Sequence, residues 1–278
     1  MEKMRLLIWT HFWGEDFKRL FETFLVPSLT HESNIPALMA EGHEVGWIIR
    51  TDQPEDVKIS IPYLWQIRPS SEQRLSDSFR DFIRECIEKD AYGLVAMPDF
   101  FFGKASVYNA FKAIAGKNVI FSIPHPRVKL EDFPMDQASR IWENRELVDY
   151  AWKHPHVCFT GTRDTEDPNR TFDGISCRQI DEDTLLVVHN QAAPIIGKYT
   201  AGDLEYFSNH PFGDIDHFWL KKIADEKRVR VCGSSDFCFF VEVCSPRPFL
   251  EPRPGLKYND LSQEGFDFLT QTVSVWKR

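Results

Sequence analysis

The chain lacks several common signatures, and each absence removes a class of protein. No two of its six cysteines form a C-x-x-C pair, so neither zinc-finger spacing nor a thioredoxin-like redox motif is present. No apolar run approaches the ~20 residues that a membrane-spanning helix needs. No G-x-G-x-x-G or G-x-x-x-x-G-K-[ST] occurs, which removes the dinucleotide fingerprint and the P-loop. No G-x-S-x-G or H-E-x-x-H occurs either, which takes support from common serine hydrolases and zinc proteases. The opening "MEKMRLLIWTHFW" has no long apolar stretch before a small-residue cleavage site, so it is read as a first strand in a cytoplasmic protein. Basic residues are in deficit. Lys and Arg total 33 against 42 Asp and Glu, a net charge of −9, which disfavours nonspecific binding to nucleic acid. The one basic run, "KKIADEKRVR" (221–230), reads as a solvated helix end.

What is present is an alternation of strand and helix patterns. "RLLIWT" (5–10) reads as a buried strand, and 15–29 as a helix with Phe17, Leu20, Phe21, Phe24 and Leu25 on one face, closed by Pro27. "EVGWIIRT" (44–51) is a second strand, 77–91 an amphipathic helix and 92–102 a third strand. A helix over 104–117 and a fourth strand over 118–128 follow. This order predicts right-handed βαβ units around a parallel sheet in residues 1–130. Residues 131–278 read differently: a helix over 138–154, two strands around "DED" (181–183), a helix over 216–226, two strands over 228–245 and a C-terminal helix. One α/β domain with a mixed sheet in its second half is expected.

In such sheets ligands bind at the carboxyl ends of the strands, near the switch point. The polar residues at predicted strand ends are Thr10 and His11, Thr51 and Asp52, Asp99, and His125 and Arg127. A carboxylate there suits a ribose or base, and an arginine suits a diphosphate. In "HPFGDIDHFWL" (210–220), Asp214 and Asp216 form a D-x-D with His210 alongside. Two such carboxylates can face one hard divalent ion, with His189 or His210 as further ligands suited to manganese. Asp216 also stands where a helix start favours a carboxylate, so a capping role is the competing explanation. Asp236 in "CGSSDFCFF" is either a turn residue or a base. Cys232, Cys238 and Cys244 recur every six residues and read as buried reduced thiols, with a soft-metal site as the lesser reading because zinc spacing is absent.

The stretch "WGEDFKRLFETFLVPSLTHESNIPAL", followed by "WIIRT", resembles a group of bacterial and phage proteins related to GT-A-type glycosyltransferases. Trp13, Gly14, Phe17, Pro27, Ser28, Leu29, Asn34, Ile35, Pro36, Ala37, Leu38 and Thr51 carry the resemblance, and "MPD" (97–99), "DID" and "SSD" follow in similar order. It implies a GT-A-like domain with a nucleotide-sugar half (1–130) and an acceptor and metal half (131–278). It also implies a donor nucleoside-diphosphate sugar and a divalent ion, manganese or magnesium. The acceptor would be a hydroxyl of a glycan, protein, small molecule or hydroxymethylated DNA base. The usual D-x-D place reads Pro98-Asp99-Phe100, with one carboxylate. Either Asp99 acts alone, or Asp214 and Asp216 supply the contact, or no metal is used. Thr10, Thr51, Asp52, Asp99 and Arg127 are the expected donor-binding residues, and Asp236 or His11 the expected base. A metal-dependent phosphoester hydrolase, or a noncatalytic nucleotide-sugar-binding protein, is the alternative.

Overall fold

The computed structural model describes residues 3–156, 169–172, 175–189, 194–244 and 273–278. In chain order the strands are β1 (Arg5–Phe12), β2 (Glu44–Thr51), β3 (Leu64–Pro69), β4 (Tyr92–Val95), β5 (Phe100–Phe102), β6 (Ile120–Ser122) and β7 (Arg127–Lys129). They continue with β8 (Asn169–Phe172), β9 (Ile175–Asp181), β10 (Thr184–His189), β11 (Pro194–Lys198), β12 (Val229–Val231), β13 (Phe240–Cys244) and β14 (Val273–Lys277). A seven-stranded sheet has the order β12-β6-β11-β4-β1-β2-β3. Strands β1 to β4 are mutually parallel, β6 and β12 are parallel, and β11 runs antiparallel between β4 and β6. The fold is therefore mixed α/β.

Alternation along β1 decides the layers. Leu6, Ile8 and Phe12 face one apolar cluster, while Leu7 and Trp9 face another. The first cluster is covered by α1 (Gly14–Leu20), α2 (Val26–Thr30), α3 (Ile35–Ala40) and α5 (Ser106–Ile114), through residues such as Leu29, Leu38 and Phe111 and through Phe21 and Leu25 of the turn joining α1 to α2. The second is covered by α4 (Leu75–Glu88), α7 (Ala201–Asn209) and α8 (Leu220–Asp225), through Phe79, Phe82, Phe207 and Leu220. A third cluster packs α6 (Asn144–Lys153) on the small sheet β5-β13-β7, where Phe101, Val128, Val241 and Val243 face it. The remaining sheet is β14-β10-β9-β8.

Proline explains three departures from the sequence reading. The helix expected to close at Pro27 runs on to Thr30, because a π-helical turn (Phe21–Leu25) precedes the proline. The Val26 N–H reaches back five residues to the Phe21 carbonyl, and this widened ladder accommodates the residue that lacks an N–H. The expected strand 92–102 is two strands in two sheets, parted by Met97-Pro98-Asp99. The expected strand 118–128 likewise divides into β6 and β7 across Ile123-Pro124-His125-Pro126. Both proline segments leave the carboxyl ends of the large sheet and start the small one. Most of the expected C-terminal helix lies outside the described residues, and Val273–Lys277 is a strand.

Strand β11 fits between its neighbours only because Gly197 has no side chain. A Cβ there would stand 2.7 Å from the Ile120 Cα and 2.7 Å from the Val119 carbonyl oxygen, both backbone atoms that cannot rotate away. Gly197→Ala is expected to destabilise the protein by about 1–3 kcal/mol, as overpacking does. Urea unfolding checks this, and an unchanged midpoint would show that the sheet yields freely.

Candidate functional site

The switch point lies where β1 continues to β2 on one side and pairs with β4 on the other. At the carboxyl ends of β1 and β2, His11 and Arg50 are register partners. His11 is fully buried, and apart from a weak interaction with the Ser71 backbone neither ring nitrogen has a hydrogen-bond partner. The buried Arg50 Nε and Gln53 Oε1 are unpartnered. Burial and the neighbouring Arg50 cation push the His11 imidazole down to about 4, against a weaker opposing pull from the Ser71 backbone. His11 is thus neutral near pH 7 and offers one donor and one acceptor. The half-buried Trp13 ring lies 5.9 Å from it, edge-on. Poorly partnered buried polar groups are rare in folded proteins, and their concentration at one strand end singles out this rim.

The loops at this rim are tied together. Both Asp52 oxygens accept from the Gly14 N–H, at 3.1 and 3.2 Å. Gly14 sits at φ +71°, a left-handed conformation that glycine takes without strain. Thr51 is buried and its hydroxyl accepts from the Gln53 N–H at 3.2 Å. The Thr10 hydroxyl accepts from the Trp47 indole at 2.9 Å, within the core.

A second group stands at the end of β4. Asp99 lies in the proline turn between β4 and β5, and its carbonyl accepts from the Val243 N–H at 2.8 Å. That bond sets β13 beside it. Glu242 and Cys244, two residues apart on β13, share one face of the strand, and donor atoms of Asp99, Glu242 and Cys244 all lie within 4.8 Å of one another. Glu242 is the register partner of Arg127, whose Nε donates to its Oε2 at 2.9 Å. His125 Nε2 is 3.4 Å from the same oxygen, and the His125 ring stacks on Phe240 at 4.3 Å.

The two carboxyls are driven apart in acidity. Burial raises Glu242, but Arg127 and His125 outweigh it and pull the group down to about 2. Burial, and then the charge of Glu242, push Asp99 up to about 8, with Arg127 opposing. Of the two, Glu242 is the stronger acid, and Asp99 is the one that keeps its proton to higher pH. Burial and the two carboxylates also raise the Cys244 thiol, which donates to Glu242 Oε1 at 3.5 Å. Two hard oxygens within reach of each other form a donor set that fits a divalent ion.

The structure distributes the other expected residues as follows. Asp214 ends a short 3-10 turn (Phe212–Asp214), Asp216 lies in a π-helical turn (Ile215–Trp219) and His189 ends β10, but the side chains of all three lie outside the described residues. His210 is exposed, with Nδ1 2.8 Å from the Tyr206 carbonyl and its ring stacked on Tyr206. Asp236 forms a two-pronged ion pair with Arg145, at 2.8 and 2.9 Å. Arg127, expected as a diphosphate cation, spends its Nε on Glu242. Glu242 was not anticipated, and Cys244 was read chiefly as a buried thiol. The available signal was a single carboxylate inside the apolar run "FCFFVEVC", where a charge must find partners.

A cleft of about 680 Å³ opens at the opposite, amino-terminal end of β1, β2 and β4, lined in part by Lys3, Arg5, Glu44, Asp90 and Lys198. Arg5 pairs there with Glu44 and Lys198 with Asp90, while Lys89 stands over the Trp65 ring and Lys117 donates to the Ala113 carbonyl. Compared with known proteins, the chain matches no protein-family model and no curated protein.

Proposed function

We propose that the chain is a glycosyltransferase of the GT-A type that moves a sugar from a nucleoside diphosphate to a hydroxyl acceptor. The observation that carries this is the set of poorly partnered buried atoms of His11, Arg50 and Gln53 at the switch-point rim. Their mixture of donors and acceptors complements the edge of a nucleobase, and Trp13 offers a ring for stacking. Asp99 and Glu242 stand at the neighbouring strand end, where a diphosphate would follow. The mixed sheet and the sequence resemblance support the same reading.

Transfer breaks the bond from the anomeric carbon to the diphosphate oxygen and forms one to the acceptor oxygen, whose proton passes to water. Charge grows on the leaving diphosphate. Asp99 and Glu242 would hold a divalent ion whose charge neutralises that group. Arg127 and His125 keep Glu242 ionised and oriented for this task. His11, with its acidity near 4, is a weak base at neutral pH, so it is assigned to recognition of the base and not to proton removal. The acceptor is a glycan, protein, small-molecule or nucleobase hydroxyl.

Calorimetric titration with a panel of UDP- and GDP-sugars, with and without manganese, tests the proposal. Saturable binding strengthened by the metal is expected. His11→Leu is expected to weaken it on the order of tenfold or more, the cost of a lost buried hydrogen bond. No heat with any nucleotide under either condition would remove the proposal.

A further inference from the structure

We infer that Asp99, Glu242 and Cys244 form a site for one borderline-soft divalent ion, zinc or cobalt(II), with the Cys244 sulfur as a direct ligand. The site stands on these three residues alone; its part in sugar transfer rests on the function proposed above. The donors are of two chemical kinds and come from two separate chain segments, the proline turn after β4 and strand β13. Their atoms lie within 4.8 Å of one another. Ligands of a single tetrahedral ion stand about 3.5 Å apart, given metal–ligand bonds of roughly 2.0–2.3 Å. A contraction of about 1 Å, within the reach of small side-chain rotations, closes the group on an ion.

The surroundings favour that closure. Cys244 is 5% exposed, and its thiol bonds to Glu242 inside the group. No other described side chain donates a hydrogen bond to Asp99, although Glu242 lies beside it. Arg127 and His125 pair with Glu242, so Asp99 beside it is the carboxyl for which a bound cation would be the partner. Arg127 and His125 both face Glu242 from outside the group, as outer partners do around ligating carboxylates. The sulfur then decides the metal. Thiolate ligands select zinc and cobalt over magnesium, which demands oxygen.

Cobalt(II) added to the full chain after chelator treatment reads the sulfur directly. One equivalent is expected to give a near-ultraviolet sulfur-to-cobalt charge-transfer band. Zinc should abolish that band at stoichiometric amounts, while magnesium in large excess should leave it. Cys244→Ser should lose the band and bind cobalt on the order of 10–100-fold more weakly. Cys232→Ser, altered at another buried thiol, should keep it. Asp99→Asn should keep the band with weakened affinity, which separates loss of a ligand from loss of the fold. Cobalt bound without a charge-transfer band, or a band that survives in Cys244→Ser, overturns the site. Nucleotide-sugar binding that persists without a sulfur-bound ion would defeat this inference and leave the transferase proposal standing. A sulfur-bound ion with no nucleotide binding would do the reverse.

Discussion

Asp203→Ala is expected to remove about 3–5 kcal/mol of stability, the usual cost of breaking one partner out of a buried ion pair. Asp203 is fully buried at the start of α7. Its Oδ2 accepts from the Thr200 N–H at 2.8 Å, the Thr200 hydroxyl at 2.9 Å and Arg228 Nη2 at 2.8 Å. Its Oδ1 accepts from the Trp219 indole at 3.0 Å and Arg228 Nη1 at 3.1 Å. One carboxylate therefore caps α7, fixes the π-helical turn that leads into α8 and neutralises the arginine just before β12. Alanine would leave the indole without its acceptor and Arg228 with only Glu226 and the Lys198 carbonyl. Burial pushes the Asp203 pKa up, but Arg228 and Thr200 outweigh it, so the folded value lies below the ordinary 3.8. A depressed carboxylate contributes stability that is present above the unfolded value and lost as pH falls through the folded one. The deficit of Asp203→Ala is thus expected to be largest near pH 7 and to shrink below pH 3.8. Urea unfolding at both pH values measures it, and equal midpoints at pH 7 would refute the role.

The second large effect has the opposite pH sign. Asp99 is raised from 3.8 to about 8 in the folded protein. A raised carboxyl contributes stability that is fully present below the unfolded value and lost as pH rises through the folded one. The metal-free protein should therefore lose stability between about pH 4 and pH 8, because the unfolded chain releases the Asp99 proton there while the folded protein must keep it beside Glu242. Asp99→Asn cannot ionise and escapes this loss. In chelator-treated samples the variant is expected to gain on the parent protein by more than about 1 kcal/mol between pH 5 and pH 9. A stability difference that is flat across that range would show that the two carboxyls do not interact as placed. On the proposed chemistry the same substitution should lower nucleotide-sugar turnover by about 100-fold or more, because the ion at the leaving group is held more weakly.

Local pattern made some of this fold legible and hid the rest. Strand 44–51 has the bounds read from its apolar, β-branched run, because a buried parallel strand needs no alternation to be seen. Strand β3, "LWQIRP", was not anticipated: it is the half-exposed edge of the sheet and carries a mixed pattern. Runs 92–102 and 118–128 each read as one strand because both halves are buried, and hydrophobicity does not report that the chain changes sheets between them. The prolines at 98, 124 and 126 held that information. Asp99 was identifiable as a strand end. Glu242 and Cys244 join it from a distant part of the chain through a backbone bond to Val243, and no spacing rule links such positions. The D-x-D at Asp214 and Asp216 was conspicuous because its two residues are neighbours in sequence, whereas the carboxyls gathered on described side chains are not.

The reversed strand β11 has a consequence for how the chain assembles during synthesis. Strands β4 and β6 are completed by the first 122 residues, but each takes β11, residues 194–198, as a neighbour. Until that later segment arrives, an emerging polypeptide carries a slot in its largest sheet with two open hydrogen-bonding margins. Closing the slot brings together segments far apart in sequence, which slows the approach to the finished state and exposes the margins to mispairing with other chains. The amino-terminal half is therefore a scaffold completed from downstream, dependent on its successor for the strand that seals it.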